Sequence, residues 1–477
     1  MGGYHVPNLD QGDNGPHNTL TRGHSRRSFL KGTAFGAAGL AAAALTKGKG
    51  VGAIEGQLGG AIKSFNTTKS VTLTMWNQPT WANAVTERKF WSDLSKKFHK
   101  LHPNVTLNVD WISWNSSFSK DVAAIKSGNP PDMEQTGAEQ MVYMASIGGV
   151  EPVDDVIDMF PLDKWTNQIK YFKWHGHYYG TPYLIGCYIF YYRKDLLEKA
   201  GFKSAPTNWN EWLDVCKAIT SPSKGIYGAG LDYTLGADSD QIFQGLIYAA
   251  GGEILNTKKQ VAFDSPQTAA AYRFACITLP KAGVLPPGVT ALTSPTSMAT
   301  PLDTLYTDGR IGTAVRWGIE ALTYETFPAV WEKTGVAMPP AGPSGHPGAF
   351  ANDNPFWIFK GSKNVGWSKE FLRYFYEPTN IERLVEQSGW LSPYSGIRTS
   401  LDDKPWFKTM QDTMKYAVRF GFVYGPEAEN GNAEDAFDLG RAAQAILVDH
   451  KPVDTVLATY AKDLASIYHL PLAPKTA

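Results

Sequence analysis

The chain contains 477 residues, and its 45 Lys and Arg are balanced by 45 Asp and Glu, so the formal net charge is zero. That length is too great for one ordinary hydrophobic core and predicts two or three lobes. The balanced charge lacks the basic excess of most nucleic-acid-binding proteins, so no nucleic acid is expected as a partner.

Residues 1–53 are predicted to be an export signal and a disordered N-terminus. Ser25-Arg-Arg-Ser-Phe-Leu-Lys31 precedes a short Gly/Ala/Leu stretch, and a basic region followed by an apolar one is typical of secretory signals. The paired arginines indicate the twin-arginine type, which makes the twin-arginine translocase a partner during export. We expect cleavage between Ala44 and Ala53. No Cys lies in this region, so we expect a periplasmic or cell-surface protein without a lipid anchor.

The first half of the remaining chain follows a strand–helix–strand pattern, which predicts a mostly parallel sheet. The predicted strands are 71–76, 105–111 and one near Met133. The first helix is predicted from an apolar stripe formed by Trp91, Leu94, Phe98 and Leu101. Ligands of such sheets bind beyond the carboxyl ends of the strands. The loops at 76–81 and 135–140 are therefore candidate binding loops.

An almost unbroken apolar and aromatic run extends from Tyr183 to Tyr192. It predicts one strand covered on both faces, entered at Pro182, where the ladder does not require an N–H. The segment 194–200 then predicts a helix that ends at Gly201. We expect this strand to carry the chain from one lobe to the next, with a ligand cleft between them.

Later elements are marked by strand-like runs and helix caps. The predicted strands are 227–233, 311–315 and 352–360, the predicted N-caps are Asn208 and Ser265, and an amphipathic helical region covers 433–468. The three cysteines, Cys187, Cys216 and Cys276, show no C-x-x-C spacing. One disulfide is possible in an oxidising compartment, and buried free thiols are the favoured interpretation.

Several motifs resemble those of the extracellular solute-binding proteins that feed ABC importers, in particular the carbohydrate branch that includes maltose-binding protein. The first is G-x-Y-Y-G-x-P-Y, an apolar strand and Y-x-R-K-D-L-L-E-K-A-G, within residues 176–201. The others follow in the same order: Phe98–Leu107, Gly128–Asp132, Gly251–Glu253, Tyr306–Ala314, Lys360–Asn364 and Ser388–Pro393. The resemblance covers roughly residues 70–400.

The resemblance implies an α/β fold of two lobes, the type II periplasmic-binding-protein fold, with a ligand cleft between the lobes. The chain would cross between lobes near 184–186, near Phe350 and near 397–401. Lobe 1 is then expected at 54–184 plus 352–397, and lobe 2 at 187–349 plus 400–470.

The function implied by the resemblance is that of the extracytoplasmic substrate-binding component of an ABC importer. The protein would close by a hinge motion on a sugar or oligosaccharide and deliver it to the membrane permease subunits. It would act as a monomer, without a cofactor or metal.

The ligand-binding residues are expected in the strand-end loops, because a sugar site needs carboxylates and amides for hydroxyl groups and an aromatic wall. The candidates are Asn77, Gln78, Trp81, Thr136, Glu139, Gln140, Asp232, Tyr233, Arg316, Trp317, Asn352, Asp353, Asn354 and Trp390. By resemblance, Thr136 and Glu139 fall where related proteins bind hydroxyl groups, and Trp317 lies near their stacking aromatic residue. Gly186 stands where maltose-binding protein has a ligand carboxylate, so maltose itself is not expected.

Each candidate also has a structural interpretation. Trp81 could cap a helix, Asp232 could cap the next segment, and residues 352–354 could form a turn. Arg316 could pair with Glu320 one turn on, or it could hold an anionic sugar or phosphate. That last option keeps binding of a glycerol phosphodiester or a polyol as an alternative function.

A secreted carbohydrate-active enzyme is the other alternative, but its motifs are weak. Asp154-Asp155 and Asp402-Asp403 are adjacent acids, whereas glycoside hydrolysis needs carboxylates on opposite sides of the sugar. His175-Gly-His177 offers two imidazoles to a metal, but the central glycine favours a hairpin turn. No phosphate-binding GxxxxGK[ST] loop is present, so nucleotide hydrolysis is not supported. Since all the candidate motifs are weak, we expect no enzymatic activity.

Overall fold

The computed structural model describes residues 69–81, 83–289, 301–316, 327–421 and 425–475. These residues belong to one compact unit, Gly52–Ala477. The export signal predicted within 1–53 and the candidate Trp317 lie outside the described residues.

The strands and helices are numbered in chain order. The strands are β1 (Val71–Asn77), β2 (Val105–Trp111), β3 (Met133–Gln135), β4 (Val150–Glu151), β5 (Lys173–Trp174), β6 (His177–Tyr178), β7 (Thr181–Cys187), β8 (Ile189–Arg193), β9 (Tyr227–Gly230), β10 (Ile311–Arg316), β11 (Thr334–Ala337), β12 (Ala349–Phe359) and β13 (Ala417–Val418). The α-helices are α1 (Ala84–Leu101), α2 (Trp114–Ser127), α3 (Ala138–Ser146), α4 (Asp154–Ile157), α5 (Lys194–Lys199), α6 (Trp209–Ile219), α7 (Ala237–Ala250), α8 (Pro266–Arg273), α9 (Leu279–Lys281), α10 (Pro301–Thr307), α11 (Pro328–Trp331), α12 (Val365–Phe375), α13 (Pro378–Ser388), α14 (Pro405–Thr413), α15 (Asn430–Asp435), α16 (Asp438–Leu447) and α17 (Val453–Tyr468).

The larger sheet has the strand order β13-β12-β3-β1-β2, and β4 and β7 also pair with β12. β1 runs parallel to β2 and to β3, as the strand–helix–strand pattern predicts. β12 runs antiparallel to β3, β4 and β7. The ladder between β12 and β7 shifts register at Asn354/Pro355, because proline has no N–H to donate.

The second sheet has the order β11-β8-β10-β9. One core packs around the larger sheet and reaches the face of the second sheet that carries Ile189 and Tyr191. The second core includes Phe190 and the buried faces of α7, α8, α16 and α17. Alternate residues of β8 thus enter different cores, as the two-residue period of a strand requires.

The apolar run from 183 to 192 forms two strands, so the prediction of one continuous strand is wrong. Cys187 pairs with Ala351 of β12 in the larger sheet, whereas Ile189 pairs with Arg316 of β10 in the second sheet. The chain therefore changes its hydrogen-bonding partners at Tyr188. It passes there from the larger sheet to the second sheet, and the passage from one lobe to the next stays a prediction.

Local sequence signals are largely confirmed. The Asn208 side chain caps α6, and the Ser265 hydroxyl caps α8, with proline at its first position. His175 and Gly176 form the turn between β5 and β6, which supports the hairpin interpretation. The three cysteines are free and buried. Within the described ranges, every helix is too short or too polar to cross a bilayer.

Candidate functional site

A group of charged side chains lies where β7, β12 and β13 meet. β12 pairs with β7, and its first two residues pair with β13. Arg419 directly follows β13 and is 2 % exposed. Its guanidinium lies 5.0 Å from the centre of the Phe350 ring, and Phe350 and Phe420 are both members of the second core. The fold therefore fixes Arg419 beside the start of β12, where Phe350 belongs to the second core.

Glu139 and Asp353 are the ion-pair partners of Arg419. Nε and Nη2 of the guanidinium donate to the two carboxylate oxygens of Glu139, in the first turn of α3. Nη1 lies 3.0 Å from Oδ1 of Asp353 and donates to the carbonyl of Ala351 at 3.1 Å. Both carboxylates are fully buried. A buried, bidentate contact of this kind fixes the orientation of both partners.

The half-buried Glu434 of α15 joins this group, and we call Arg419, Glu139, Asp353 and Glu434 the arginine cluster. Burial alone would lower the pKa of Arg419, but the charges of Glu139 and Asp353 raise it. Burial raises the pKa of Asp353 well above its usual range, although Arg419 opposes this shift. Burial and then the charge of Glu139 raise the pKa of Glu434 in the same way. Burial and the positive charge of Arg419 therefore act in opposite directions on the protonation of Asp353 and Glu434.

Helix α7 presents a polar stripe beside the arginine cluster, at spacings of three, three and four residues. Its members are Asp238, Gln241, Gln244 and Tyr248. Nε2 of Gln244 donates to the carbonyl of Val418 at 2.8 Å. Among the described residues, Oε1 of Gln244 and the Tyr248 hydroxyl are buried without a hydrogen-bond partner. Buried polar groups are normally satisfied, so these atoms indicate a place where another polar group binds.

A second ionic group continues from this stripe towards the tip of β10. The Tyr188 hydroxyl lies 2.9 Å from Asp238 and 2.7 Å from Gln241. Asp238 in turn lies 3.0 Å from Arg316. Burial and the charge of Asp238 raise the pKa of Asp232. Acidic groups therefore surround Arg316, and its guanidinium is already engaged in an ion pair.

The carboxyl ends of β1 and β3 carry another set of buried polar groups. Nε2 of Gln78 donates to Glu134 at 2.5 Å. Burial raises the pKa of Asp121 to about 7, and burial and the charge of Asp121 raise that of Glu134. The Thr136 hydroxyl donates to the side chain of Gln140. The predicted strand-end loops thus contain hydrogen-bonding groups, and Asp121 and Glu134 titrate as a pair.

Glu87 of α1 holds the loop after β1 in place. Its carboxylate accepts hydrogen bonds from the Thr80 amide at 3.2 Å, the Thr80 hydroxyl at 2.8 Å and the Trp81 amide at 3.4 Å. Burial raises the pKa of Glu87 to about 7, although these donors oppose the shift. The ordered conformation of the loop therefore depends on an acid that titrates near neutral pH.

Replacing this acid by an amide should change how stability depends on pH. The folded state keeps the Glu87 proton up to about pH 7, whereas the unfolded chain loses it near pH ~4.3. The contribution of Glu87 to the free energy of unfolding is therefore complete below pH ~4 and falls by about 1.4 kcal/mol per pH unit until pH ~7. Between pH 5 and 8, denaturant unfolding should show that the free energy of unfolding falls by about 2–3 kcal/mol more in the wild type than in Glu87→Gln.

The control is Glu382→Gln, at an exposed position, which should show the same pH dependence as the wild type. If Glu87→Gln also shows that pH dependence, this role of Glu87 is refuted.

The structure brings together only some of the candidate residues. Glu139 and Asp353 belong to the arginine cluster, Asp232 and Arg316 to the ionic group around Asp238, and Asn77, Gln78, Thr136 and Gln140 to the strand ends of the larger sheet. Asn352 and Asn354 flank Asp353 on β12, opposite Gly186 and Leu184 of β7. For these residues, direct contact with a ligand remains a prediction.

Three aromatic candidates pack into the protein interior. Trp81 is buried, and its indole N–H donates to the Tyr183 hydroxyl at 3.1 Å. Tyr233 is buried, and its hydroxyl donates to the Ala275 carbonyl at 2.7 Å. Trp390 is 5 % exposed and lies over Gly186, where an added Cβ would come within 2.5 Å of its ring. Each of these side chains has a packing role, and stacking on a ligand remains a prediction.

Several members of the site were not identified from the sequence. They are Arg419, Glu434, Tyr188, Glu134, Asp121, Asp238, Gln241, Gln244 and Tyr248. The stripe on α7 has a recognisable signal, because its polar residues recur at helical spacing. Arg419 has no comparable local signal, since its partner Glu139 is 280 residues away along the chain.

The described residues also line a pocket of about 500 Å³ between the segments 164–168, 391–399 and 407–415. Two of its charged groups have protein partners: the Asp402 carboxylate accepts from the Thr399 amide, and Lys415 pairs with Asp412. This pocket is therefore a weaker candidate than the site around the arginine cluster. In the part of the chain described, no three His, Cys, Asp or Glu side chains are arranged to hold a metal ion.

Comparisons with known proteins agree with this architecture. A family model described as bacterial extracellular solute-binding protein matches residues 93–415. A binding protein of Brucella abortus (strain 2308) is 25 % identical over 307 residues, which cover 63 % of this chain and 72 % of that protein.

Two solved structures are similar over most of the described chain. An ABC transporter solute-binding protein from Thermotoga lettingae TMO, bound with α-D-tagatose, has a TM-score of 0.73 at 21 % identity, covering 84 % of this chain and 100 % of that one. Maltose-bound T. maritima MalE3 has a TM-score of 0.74 at 20 % identity, covering 83 % and 100 %. The likeness shows the two-lobed α/β fold of periplasmic binding proteins and confirms the predicted fold class. The predicted residue boundaries of the lobes remain a prediction.

Proposed function

Because the chain belongs to the family of bacterial extracellular solute-binding proteins, we propose that it is the solute-binding component of an ABC importer. Its ligand is a neutral, polyhydroxylated solute, namely a sugar or an oligosaccharide. Membership of an extracellular family implies a periplasmic or cell-surface location. The twin-arginine motif supports export by that pathway, and the permease subunits of the importer are the expected partners.

The observation that carries this proposal is the arrangement of buried polar groups around the arginine cluster. Oδ2 of Asp353, Oε1 of Gln244 and the Tyr248 hydroxyl are buried without a hydrogen-bond partner among the described residues. Carboxylate, amide and phenol groups match the alternating donors and acceptors of sugar hydroxyls. The tagatose and maltose bound to the two similar structures are consistent with such a ligand.

An anionic ligand, such as a glycerol phosphodiester, is the second candidate, because Arg316 and Arg419 are both buried. However, Arg316 is paired with Asp238, and Arg419 is paired with Glu139 and Asp353. A phosphate would have to displace these carboxylates and would then lie beside them. Repulsion between like charges in a buried site is costly, so the geometry favours the neutral solute.

The connection between the two sheets supports a hinge mechanism for binding. β7 of the larger sheet leads through Tyr188 into β8 of the second sheet. A ligand that contacts groups from both lobes binds the closed state better and shifts the population towards it. A shift from 1 % to 99 % closed requires about 5.5 kcal/mol of preferential binding. Three or four hydrogen bonds to charged groups, at about 1.5–3 kcal/mol each, supply that amount.

Asp154 and Asp155, one of the acid pairs considered for an enzyme, have structural partners. Asp154 accepts from the Tyr178 amide at 3.0 Å and lies 3.1 Å from His177. Asp155 pairs with Lys369 and Arg373 at 2.7 Å each. These contacts favour a structural role for both acids, and so a binding protein over a hydrolase.

A thermal-shift screen followed by product analysis tests the proposed function. The panel contains α-D-tagatose, maltose, other mono-, di- and trisaccharides, polyols and sn-glycerol 3-phosphate. We expect at least one sugar to raise the melting temperature while remaining chemically unchanged after incubation. Hydrolysis of an oligosaccharide would favour the enzyme, and a shift with sn-glycerol 3-phosphate alone, lost in Arg316→Ala, would favour the anion.

A further inference from the structure

Arg419 is surrounded by groups from three parts of the fold. Glu139 lies at the start of α3, Asp353 on β12 of the larger sheet and Glu434 on α15. The arginine itself is held by the second core, through the buried Phe420 and the ring of Phe350. Arginine offers five donors in a planar fork, so Arg419 can contact Glu139 and Asp353 together while its charge also acts on Glu434.

The donors of the guanidinium are directed at protein groups. Nε and Nη2 donate to Glu139, and Nη1 donates to the Ala351 carbonyl and faces Asp353. The Phe350 ring covers one face of the guanidinium. Since the side chain is also only 2 % exposed, Arg419 has no open edge with which to bind a solute directly.

The backbone at the start of α3 is adapted to this arrangement. A Cβ added at Gly137 would lie 2.9 Å from Nη2 of Arg419, 3.3 Å from Oε2 of Glu139 and 3.9 Å from Oε2 of Glu434. A side chain at this position would therefore separate the guanidinium from two of its acids. Gly137 allows the close approach that the arginine cluster requires.

We propose that Arg419 is a positioning residue that keeps Glu139 and Asp353 as correctly oriented hydrogen-bond acceptors for the hydroxyl groups of the solute, without touching the solute itself. This inference rests on the proposed function, because only a polyhydroxylated ligand gives these buried acceptors a binding role. It adds to that function a residue that acts on the solute indirectly, through the carboxyl groups of Glu139 and Asp353.

Charge supports the geometric argument. The groups that face one another here are Arg419, Glu139, Asp353 and Glu434, with Asp240 of α7 and Tyr171 close enough to influence their titration. Burial already raises the pKa values of Asp353 and Glu434, and the positive charge of Arg419 opposes both shifts. Without the guanidinium, buried carboxyl groups would take up protons and change from acceptors to donors.

Infrared spectroscopy of the full chain without added sugar tests this charge role directly. At pH 7, Arg419→Met should gain a protonated-carboxyl C=O band relative to the wild type, and Arg419→Met/Asp353→Asn should lose part of it. Arg193→Met is the matched control, because Arg193 is also buried and makes a two-pronged contact, with Asp195. It should not gain the band. An unchanged spectrum in Arg419→Met would overturn the inference whether or not a sugar binds.

Binding of maltose and α-D-tagatose at pH 6 and pH 9 tests the positioning role. For either sugar that the wild type binds, Arg419→Met should lose at least tenfold in affinity at pH 6 and recover part of that loss at pH 9. Arg419→Lys keeps the positive charge but loses the two-pronged contact with Glu139, so it should show a wild-type infrared spectrum and reduced affinity for the sugar at both pH values. If Arg419→Met fails to fold, Arg419→Lys still tests the positioning role.

The outcomes separate the two proposals. Affinity within twofold of the wild type in both Arg419 variants would overturn the positioning role and leave the proposed function intact. If no sugar in the screen binds the wild type, the proposed function fails, and with it the positioning role that rests on it. The infrared result would then still decide whether Arg419 sets the charge of the carboxyl groups.

Discussion

Glu139→Ala should lower the free energy of unfolding by about 3–5 kcal/mol, because it leaves the buried guanidinium of Arg419 without its bidentate partner. Glu139 is fully buried, and Arg419 is 2 % exposed. The lost attraction cannot be replaced by water without opening the junction between the cores. Denaturant unfolding followed by tryptophan fluorescence measures the change.

The matched control for this prediction is Asp155→Ala. Asp155 also accepts from two cationic side chains, Lys369 and Arg373, but it is 50 % exposed. Exposed ion pairs contribute about 1 kcal/mol or less to stability, so Asp155→Ala should lower the free energy of unfolding far less than Glu139→Ala does. The double variant Glu139→Ala/Arg419→Met should be more stable than Glu139→Ala alone, because it removes the isolated charge. Equal losses in Glu139→Ala and Asp155→Ala would contradict the account.

Gly348→Ala should destabilise the protein by about 1–3 kcal/mol or more and weaken solute binding at least tenfold, which corresponds to about 1.4 kcal/mol. A Cβ at this position would lie 2.0 Å from the carbonyl oxygen of Gly245 and 2.5 Å from the amide nitrogen of Ala249. Both are backbone atoms of α7, so the helix itself must move. That movement displaces the polar stripe containing Gln244 and Tyr248.

Gly345→Ala provides a control in the same loop. A Cβ there would meet nothing within 4 Å, but the residue has φ +79°. This substitution should therefore cost only the left-handed backbone penalty, about 1–2 kcal/mol, and should leave binding unchanged. Melting temperatures and affinities for the strongest sugar of the screen distinguish the two variants. Unchanged affinity in Gly348→Ala would show that α7 does not contribute to the site.

Sequence patterns predicted the parts of the fold that local physics determines. The alternation at 105–111 and the apolar stripe of α1 arise from strand and helix periods, and both elements are present. The caps at Asn208 and Ser265 depend on hydrogen bonds within three residues. Each of these signals needs only a short stretch of chain, which explains why a single sequence was sufficient.

The break at Tyr188 was not predictable in the same way. The residues on both sides are apolar and strand-forming, and only their pairing with β12 or β10 separates them. Pairing of this kind depends on segments more than 100 residues away. Periodicity does not carry that information.

The site was only partly predictable for a related reason. Glu139 and Asp353 were identified through loop chemistry and resemblance, but the cation between them was not. Arg419 lies in an aromatic stretch without a motif, 280 residues from Glu139. Conversely, Trp81 and Tyr233 were predicted to bind the ligand, and both are buried and hydrogen-bonded within the protein. Composition could not distinguish an aromatic residue in the core from one in the cleft.

Small-angle X-ray scattering with and without the strongest sugar of the screen tests the central claim most directly. Two lobes that close on a polyhydroxylated solute should give a smaller radius of gyration at saturating sugar, with no change on adding sn-glycerol 3-phosphate. A sugar that binds stoichiometrically while the scattering profile stays the same would contradict closure of the lobes around the ligand.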